Sequence, residues 1–476
     1  MGPSPFTDYA SEVRSLKLAI IGTAGVRTPL MLRGVLRRQE RLGLTELCLM
    51  DSDQEHLDLI RMVSEPVLRA REFSDTKKAA LPLSVIWTTD AREAIRGADF
   101  VLTTFRVGGM RSRVIDERVP LRYGVLGQET TGPGGFAMAL RTIPVILNYV
   151  KMMQELAPQA WLINFTNPSG LITEAVTNHT DVQRMVGICD NPSSMQREIA
   201  RALKLSPDET FVEYFGLNHL GWVRAVFVHG RDVLPELISA LVERRVTLEG
   251  LPFDPGFVAA LGMLPNEYLH FYYHTPEVVQ HIKDAGKTRG EQILELNEWL
   301  FAKLQRLREG GSEGEIRDAY MSYLLKRGET YMATETGHQP DLERLQASAE
   351  EEGYEGVALG VMECLAGVRQ GISILNVPNR GAIAGMDDRD VVEVTCFLEQ
   401  AAVRPVAMGC VPGHALGLMK QVKAYERAAV EAALSRSYAS ALKALSLHPL
   451  VPGYTVARRI LDGYVSEHGD YFPKLS

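Results

Sequence analysis

Short apolar runs alternate with longer amphipathic stretches through the first 190 residues. The runs Lys17–Gly22, Glu46–Asp51, Leu83–Thr88, Phe100–Thr104, Trp161–Phe165 and Met185–Ile188 have the length and continuity of buried strands. Between them Pro29–Glu40, Gln54–Arg71, Ala91–Arg96 and Gly135–Leu156 carry helical spacing. Strands and helices in this alternation build a parallel, doubly wound sheet, whose ligands gather beyond the carboxyl ends of the strands. At those ends stand Gly22, Asp51, Arg106, Asn167, Cys189 and Asp190.

The pattern changes near residue 195. Glu213–Phe215 and Arg224–Val228 predict strands of a different, partly antiparallel sheet, and residues 232–330 read as mainly helical, most periodically over Glu291–Arg308. Glu309–Glu315 reads as a flexible glycine-bearing loop. Strands return at Ser373–Asn376 and Val391–Phe397, followed by one or two helices over Gly417–Ala444 and another over Thr455–His468. The expected organisation is α/β. A Rossmann-like doubly wound domain fills residues 1–195, and an α+β substrate and oligomerisation domain fills residues 196–476.

Bulk properties narrow the setting without naming the chemistry. A chain of 476 residues has room for two domains. Its 51 basic and 59 acidic residues leave a formal charge of −8, which argues against a general nucleic-acid surface. Five cysteines without close spacing form no disulfide framework and suit a reducing compartment. The first fifteen residues carry two acids and no apolar core, unlike a secretory signal, and no uninterrupted apolar run approaches the roughly 18 residues of a membrane span. These features predict a soluble, cytoplasmic protein with neither nucleic acid nor membrane as partner.

Two features carry chemistry. The first is the strand–turn–helix in which Gly22-Thr-Ala-Gly25 precedes a helix start at Thr28-Pro29. Small residues there let backbone N–H groups meet a pyrophosphate at a helix N-terminus, and Asp51, ending the next strand, is placed to accept from an adenosine ribose. The strict G-x-G-x-x-G spacing is absent, since Ala24 and Arg27 stand where glycines would. The second is Gly187-Ile-Cys-Asp190 with Gly216-Leu-Asn-His219, where Cys189 and His219 each follow an apolar run. A thiolate and an imidazole suit a borderline divalent ion. Taken alone they equally fit a buried small hydrophobe and a hydrogen-bonded core histidine.

Further segments complete a recognisable set: Phe105-Arg-Val-Gly-Gly109, Asp116-Glu-Arg118, Tyr123-Gly-Val-Leu-Gly-Gln-Glu-Thr130, Gly132-Pro-Gly-Gly135, Asn164-Phe-Thr-Asn-Pro168, Pro265-Asn-Glu-Tyr268, Asn379-Arg-Gly-Ala-Ile383 and Val391-Val-Glu-Val394. With the two motifs above, the chain resembles glycoside hydrolase family 4 over nearly its whole length. Its resemblance is strongest to the 6-phospho-β-glucosidase branch, through Phe105–Gly109 and Gly127–Gly135. The resemblance implies NAD and Mn2+ as cofactors and a 6-phosphorylated disaccharide or β-glucoside as substrate. It also implies a mechanism outside the two-carboxylate pattern of most glycosidases. NAD oxidises the sugar 3-hydroxyl, a base removes the proton on C2, the aglycone leaves C1, water adds, and the hydride returns.

The same resemblance assigns roles. Cys189 and His219 would hold the metal, Tyr268 would abstract the C2 proton, and Gly22, Gly25 and Asp51 would bind NAD. Arg106 and Arg289 would take the substrate phosphate, which planar guanidinium forks suit, and Asn167 would bond substrate hydroxyls. Glu129 falls near the reacting centre without a defined role. Tyr272 is the alternative base, because Tyr268, Tyr272 and Tyr273 also read as an aromatic packing cluster. Asp190 corresponds to a candidate general acid of the phospho-α-glucosidase branch, where many phospho-β-glucosidases carry Asn, so the α-anomer is the first alternative substrate. A non-catalytic sugar-phosphate binder is a second, since Thr23 puts a branched side chain in the glycine turn, with Arg27 as a compensating charge. The family implies a homodimer or homotetramer.

Overall fold

The computed structural model describes residues 15–70, 82–329, 333–336 and 354–476. Its first half winds β1 (Leu16–Ile21), α1 (Thr28–Leu42), β2 (Leu44–Met50), α2 (Gln54–Arg69), β3 (Ser84–Thr88), α3 (Ala91–Ile95) and β4 (Phe100–Thr103). Then come α4 (Gly109–Leu121), α5 (Gly132–Leu156), β5 (Trp161–Asn164), α6 (Ser169–His179), β6 (Met185–Gly187) and α7 (Asn191–Leu203). The strands pair in parallel in the order β3-β2-β1-β4-β5-β6, the doubly wound order expected from the alternation. The predicted helix Gln54–Arg71 ends at Arg69, and its last expected residue, Arg71, lies outside the described residues.

The later strands are β7 (Phe211–Leu217), β8 (Leu220–Val228), β9 (Arg231–Asp232), β10 (Leu264–Pro265), β11 (Gly371–Pro378), β12 (Val391–Glu399) and β13 (Ala402–Pro405). They do not form a different sheet, which corrects the expectation from their sequence. Asn376 of β11 pairs antiparallel with Gly187 of β6, β12 pairs with both β11 and β7, and β8 and β10 follow. The result is one 13-stranded sheet. The reason is the edge: without β11, β6 would present unpaired backbone N–H and C=O groups. The point near residue 195 where the pattern changes falls inside α7.

The periodicity did not predict α4, α6 and α7 in the first half, nor the later helix Tyr354–Leu365. In α4 the cause is plain, because its buried face is largely polar: Ser112, Arg113, Asp116 and Glu117 point inward beside Val119. A pattern search for apolar spacing misses such a helix. Most of the buried charge is paired. Arg141 of α5 makes two 2.7 Å bonds to Asp116, with neither side chain exposed, and His468 Nε2 lies 3.0 Å from the same carboxylate. By length and composition alone α5 is apolar enough to cross a membrane, but it is largely buried and carries this ion pair, as a core helix does. The Glu309–Glu315 loop is shorter than expected: Glu313–Glu329 is helical, with Glu315 N–H bonded to Ser312 Oγ. The Gly417–Ala444 region is two helices, Gly413–Ser435 and Tyr438–Leu447, parted at Arg436 in the left-handed region.

Candidate functional site

Gly22, Gly25, Asp51, Arg106, Asn167, Cys189, Asp190, His219, Tyr268 and Arg289 all line one cleft of about 2390 Å³ at the carboxyl ends of the parallel strands. Pockets for single small ligands run about 300–1,000 Å³, so this one has room for a dinucleotide and a second ligand together.

At one end is the glycine turn. Gly22 sits at φ +107°, and a Cβ there would come within 2.6 Å of the Phe105 backbone nitrogen, so only glycine lets β1 and β4 end this close together. Gly25 has no such constraint. Asp51 accepts from the Ala24 N–H (2.9 Å) and the Asp53 N–H (3.1 Å), tying β2 to the turn. Burial raises its carboxyl above the usual range, against the pull of those N–H groups. Thr23, suspected of obstructing the approach, has no exposed surface, and its carbonyl accepts from the Thr28 hydroxyl at 2.8 Å. The branched side chain therefore packs inward and leaves the backbone edge of the turn on the cleft. Helix α1 starts at Thr28-Pro29 without a side-chain cap, and its first N–H groups are satisfied by the turn itself: Thr28 donates to the Gly25 carbonyl and Leu30 to the Arg27 carbonyl, each at 3.1 Å, so any anion must meet the N–H groups of the turn before it. A dinucleotide fits this end.

The middle of the cleft holds Cys189 and His219. Cys189, two residues past β6, and His219, in the left-handed turn between β7 and β8, bring Sγ and Nε2 to 3.6 Å. Both are buried. Burial holds the His219 imidazole down at about 4, hence neutral at pH 7, the form that ligates. Among the described residues no third His, Cys, Asp or Glu completes a metal cluster. A site with two protein donors keeps positions open for substrate oxygens, as catalytic rather than structural sites do. The donors therefore fit a divalent cation.

Tyr268 stacks on His219, with ring centroids 3.9 Å apart and planes within 6°. Burial and the Glu267 carboxylate push its phenol well above the ordinary range, so a cation beside it is needed before it can serve as a base. Tyr272 stacks toward His448 and does not line the cleft. Asp190 lies 3.8 Å from Arg27, both about half exposed, where the nucleotide turn meets the ligand pair. Asn167, joined to Pro168 by a cis peptide bond, accepts from Ser169 N–H at 3.3 Å and faces the cleft.

The far end is cationic. Arg106 bonds Glu129, and the same carboxylate lies 3.0 Å from Arg113, which also donates to Glu117 at 2.8 Å. Burial opposes ionisation of Glu129, but the Arg113 and Arg106 guanidiniums outweigh it and hold its carboxyl down at about 2. Arg289 opens the helix Arg289–Leu307, capped by Thr288 and Glu291, and donates to the Arg327 carbonyl at 2.8 Å. Burial and the neighbouring Arg327 charge bring Arg289 down to about 10, and burial lowers Arg327 as well. Guanidiniums that repel one another on a cleft wall favour a multivalent anion. Sequence reasoning missed Arg113 and Arg327. Arg113 had a faint signal, four residues before Glu117 on a helix; Arg327 had none.

Fold and cleft together define an α/β enzyme site suited to a dinucleotide, a divalent cation and an anionic substrate. The family 4 glycosyl hydrolase model matches residues 17–205, and the model of that family's C-terminal domain matches residues 214–451, so the chain belongs to this family. A probable 6-phospho-β-glucosidase of Bacillus subtilis (strain 168) is 34% identical, covering 97% of this chain and 98% of its own. The structure of the Thermotoga maritima 6-phospho-β-glucosidase with manganese, NAD+ and glucose-6-phosphate superimposes with a TM-score of 0.79 at 28% identity, covering 97% of this chain and 100% of that one. A 6-phospho-α-glucosidase from gut microorganisms in complex with NAD and Mn2+ gives 0.80 at 27% identity, with the same coverage.

Proposed function

We propose that the chain hydrolyses 6-phospho-β-glucosides with NAD and Mn2+ in the cleft that runs from Gly22 to Arg289. The observation that carries this reading is the shared cleft itself, lined by the glycine turn, the Cys189–His219 pair and the arginine cluster together. When bound, NAD supplies a hydride acceptor that is regenerated in each cycle, and Mn2+ supplies Lewis-acid polarisation of the sugar oxygens that also favours the Tyr268 phenolate.

The protein's own groups do the rest. Gly22, Gly25 and Asp51 seat the nucleotide, and Cys189 with His219 hold the cation. Arg106 and Arg289, with Arg113 and Arg327 behind them, take the 6-phosphate and so fix which sugar carbon meets the nucleotide. Asn167 bonds a sugar hydroxyl. Tyr268, stacked on His219, takes the C2 proton once the 3-position is oxidised. Asp190, at the mouth beside Arg27, hands a proton to the departing aglycone oxygen. In this reading residues 1–195 bind NAD and residues 196–476 supply the base, a metal ligand and Arg289. A cytoplasmic homodimer or homotetramer belongs to the same reading. The exposed Trp299, Met321 and Leu325 on neighbouring helices support it, and sedimentation tests it.

The test is release of p-nitrophenol from its β-glucoside 6-phosphate under reducing conditions, with NAD and Mn2+ supplied. Turnover should require both and should accumulate no NADH. Absence of turnover refutes the reading. Asp190, an Asp where many phospho-β-glucosidases carry Asn, favours a second reading in which the α-linked phosphoglucoside is cleaved; that substrate belongs in the same assay.

A further inference from the structure

Glu393 lies in the middle of β12, fully buried, and makes no ion pair among the described residues. Other buried acids here do: Asp116 has Arg141, Glu174 has Lys423, and Glu363 has Arg369. A buried carboxylate is stable only when paired, bonded or close to a metal. Glu393 has three donors instead of a cation, and against their pull burial pushes its carboxyl up to about 7. Its Oε1 accepts from Asn218 and Asn376, each at 3.1 Å, and its Oε2 accepts from the Tyr214 hydroxyl at 3.0 Å.

Each donor leads to a different part of the site. Asn218 immediately precedes His219, and its Oδ1 also accepts from the Gly170 N–H at 3.2 Å. Asn376 stands opposite Gly187, two residues before Cys189, and opposite Glu393 on the other side. Tyr214 accepts from Asn266 at 3.0 Å, and Asn266 accepts from the Tyr268 N–H at 2.9 Å while bonding Asn191. Glu393 itself pairs with Gly216, three residues before His219. One carboxylate therefore ties together the segments that carry both ligands and the base. Its charge reaches Cys189, where it opposes a thiolate unless a cation balances the two.

We propose that Glu393 is a positioning residue: the buried carboxyl group whose bonds set the Cys189 and His219 segments to take a divalent cation and hold the Tyr268 turn in register with them. The inference rests on the reading of Cys189 and His219 as metal ligands. Second-sphere partners of this kind commonly change metal affinity by 10- to 100-fold.

The test measures Mn2+ binding by the electron paramagnetic resonance of free Mn2+, on the full chain. E393Q keeps the shape and one accepting oxygen for Asn218 and Asn376, puts an amide N–H where Tyr214 donates, removes any charge, and should weaken Mn2+ by about 10- to 100-fold while NAD affinity stays unchanged. Tyr214→Phe cuts only the branch toward Tyr268. It should keep Mn2+ affinity within about threefold and lower kcat, a separation that general loosening would not produce. If E393Q fails to fold, Asn218→Ala, which cuts the branch toward His219, should weaken Mn2+ in its place, and unchanged affinity there overturns the inference. Wild-type protein that binds Mn2+ alongside E393Q of equal affinity overturns this inference alone. Wild-type protein that takes no Mn2+ overturns it together with the ligand assignment.

Discussion

Arg289→Met is the perturbation that most directly probes the cationic end of the cleft. The guanidinium is largely buried, donates to the Arg327 carbonyl at 2.8 Å, and is held down at about 10 by burial and by Arg327. It is therefore charged at pH 7, at a cost to the folded protein. A drop from 12.5 to about 10 bounds that cost at roughly 3 kcal/mol. Toward a phosphate about 4 Å away, one guanidinium contributes about 4 kcal/mol per unit charge at an effective dielectric of 20. Desolvation offsets part of this, and a charge-assisted bond nets about 1.5–3 kcal/mol. At about 1.4 kcal/mol per decade, Arg289→Met should lower kcat/KM for p-nitrophenyl β-glucoside 6-phosphate by roughly ten- to 150-fold. The unphosphorylated glucoside should lose less than about threefold. Thermal unfolding should stay unchanged or rise, because a repelling buried charge is gone. Equal losses on the two substrates, or a fall in Tm with no change in discrimination, would refute the assignment of this wall to the phosphate.

Three more expectations follow from the geometry. Tyr268→Phe should lower kcat by about 10²- to 10⁴-fold, keep Mn2+ and NAD binding, and abolish solvent-deuterium incorporation at C2; persistent exchange at C2 assigns the base elsewhere. Gly22→Ala forces a Cβ to within 2.6 Å of the Phe105 nitrogen at φ +107°, and should cost about 1–3 kcal/mol in urea unfolding together with weaker NAD binding by fluorescence titration. The last concerns pH: the Glu129 carboxyl lies at about 2 in the folded protein against 4.5 ordinarily, so its stabilisation is complete above about pH 4.5 and lost as pH falls toward 2. The stability gap between wild type and Glu129→Gln, up to about 3 kcal/mol, should therefore close on acidification. A gap that stays constant from pH 6 to pH 3 removes Arg113 and Arg106 as its cause.

The parallel half of the fold was legible because each strand is a continuous apolar run ending at a small or polar residue, and observed ends such as Leu16–Ile21 fall within a residue or two of the expected ones. The antiparallel half was legible as strands but not as a continuation of the same sheet. Pairing of Asn376 with Gly187 joins residues 189 positions apart, and no local pattern encodes such a partner. Helix α4 escaped because its inward face carries Arg113, Asp116 and Glu117, whose burial makes sense only beside Arg141, Glu129 and the Gly290 N–H.

The sequence by itself determined the kinds of chemistry present: a turn that needs glycine at position 22, a thiol and an imidazole at the ends of strands, and arginines near both. Motif residues announce themselves because their types are unusual for their positions. Only the tertiary structure decided that these groups share one cleft, that Thr23 turns inward, and that Tyr268 rather than Tyr272 meets His219. The same is true of Arg113 and Arg327, which line the cleft beside Arg106 and Arg289, and of Glu393, whose bonds to Asn218 and Asn376 reach the segments of His219 and Cys189. The physical reason is that identity and spacing are local, whereas distance, burial and charge balance belong to segments far apart in the chain that a single sheet brings together.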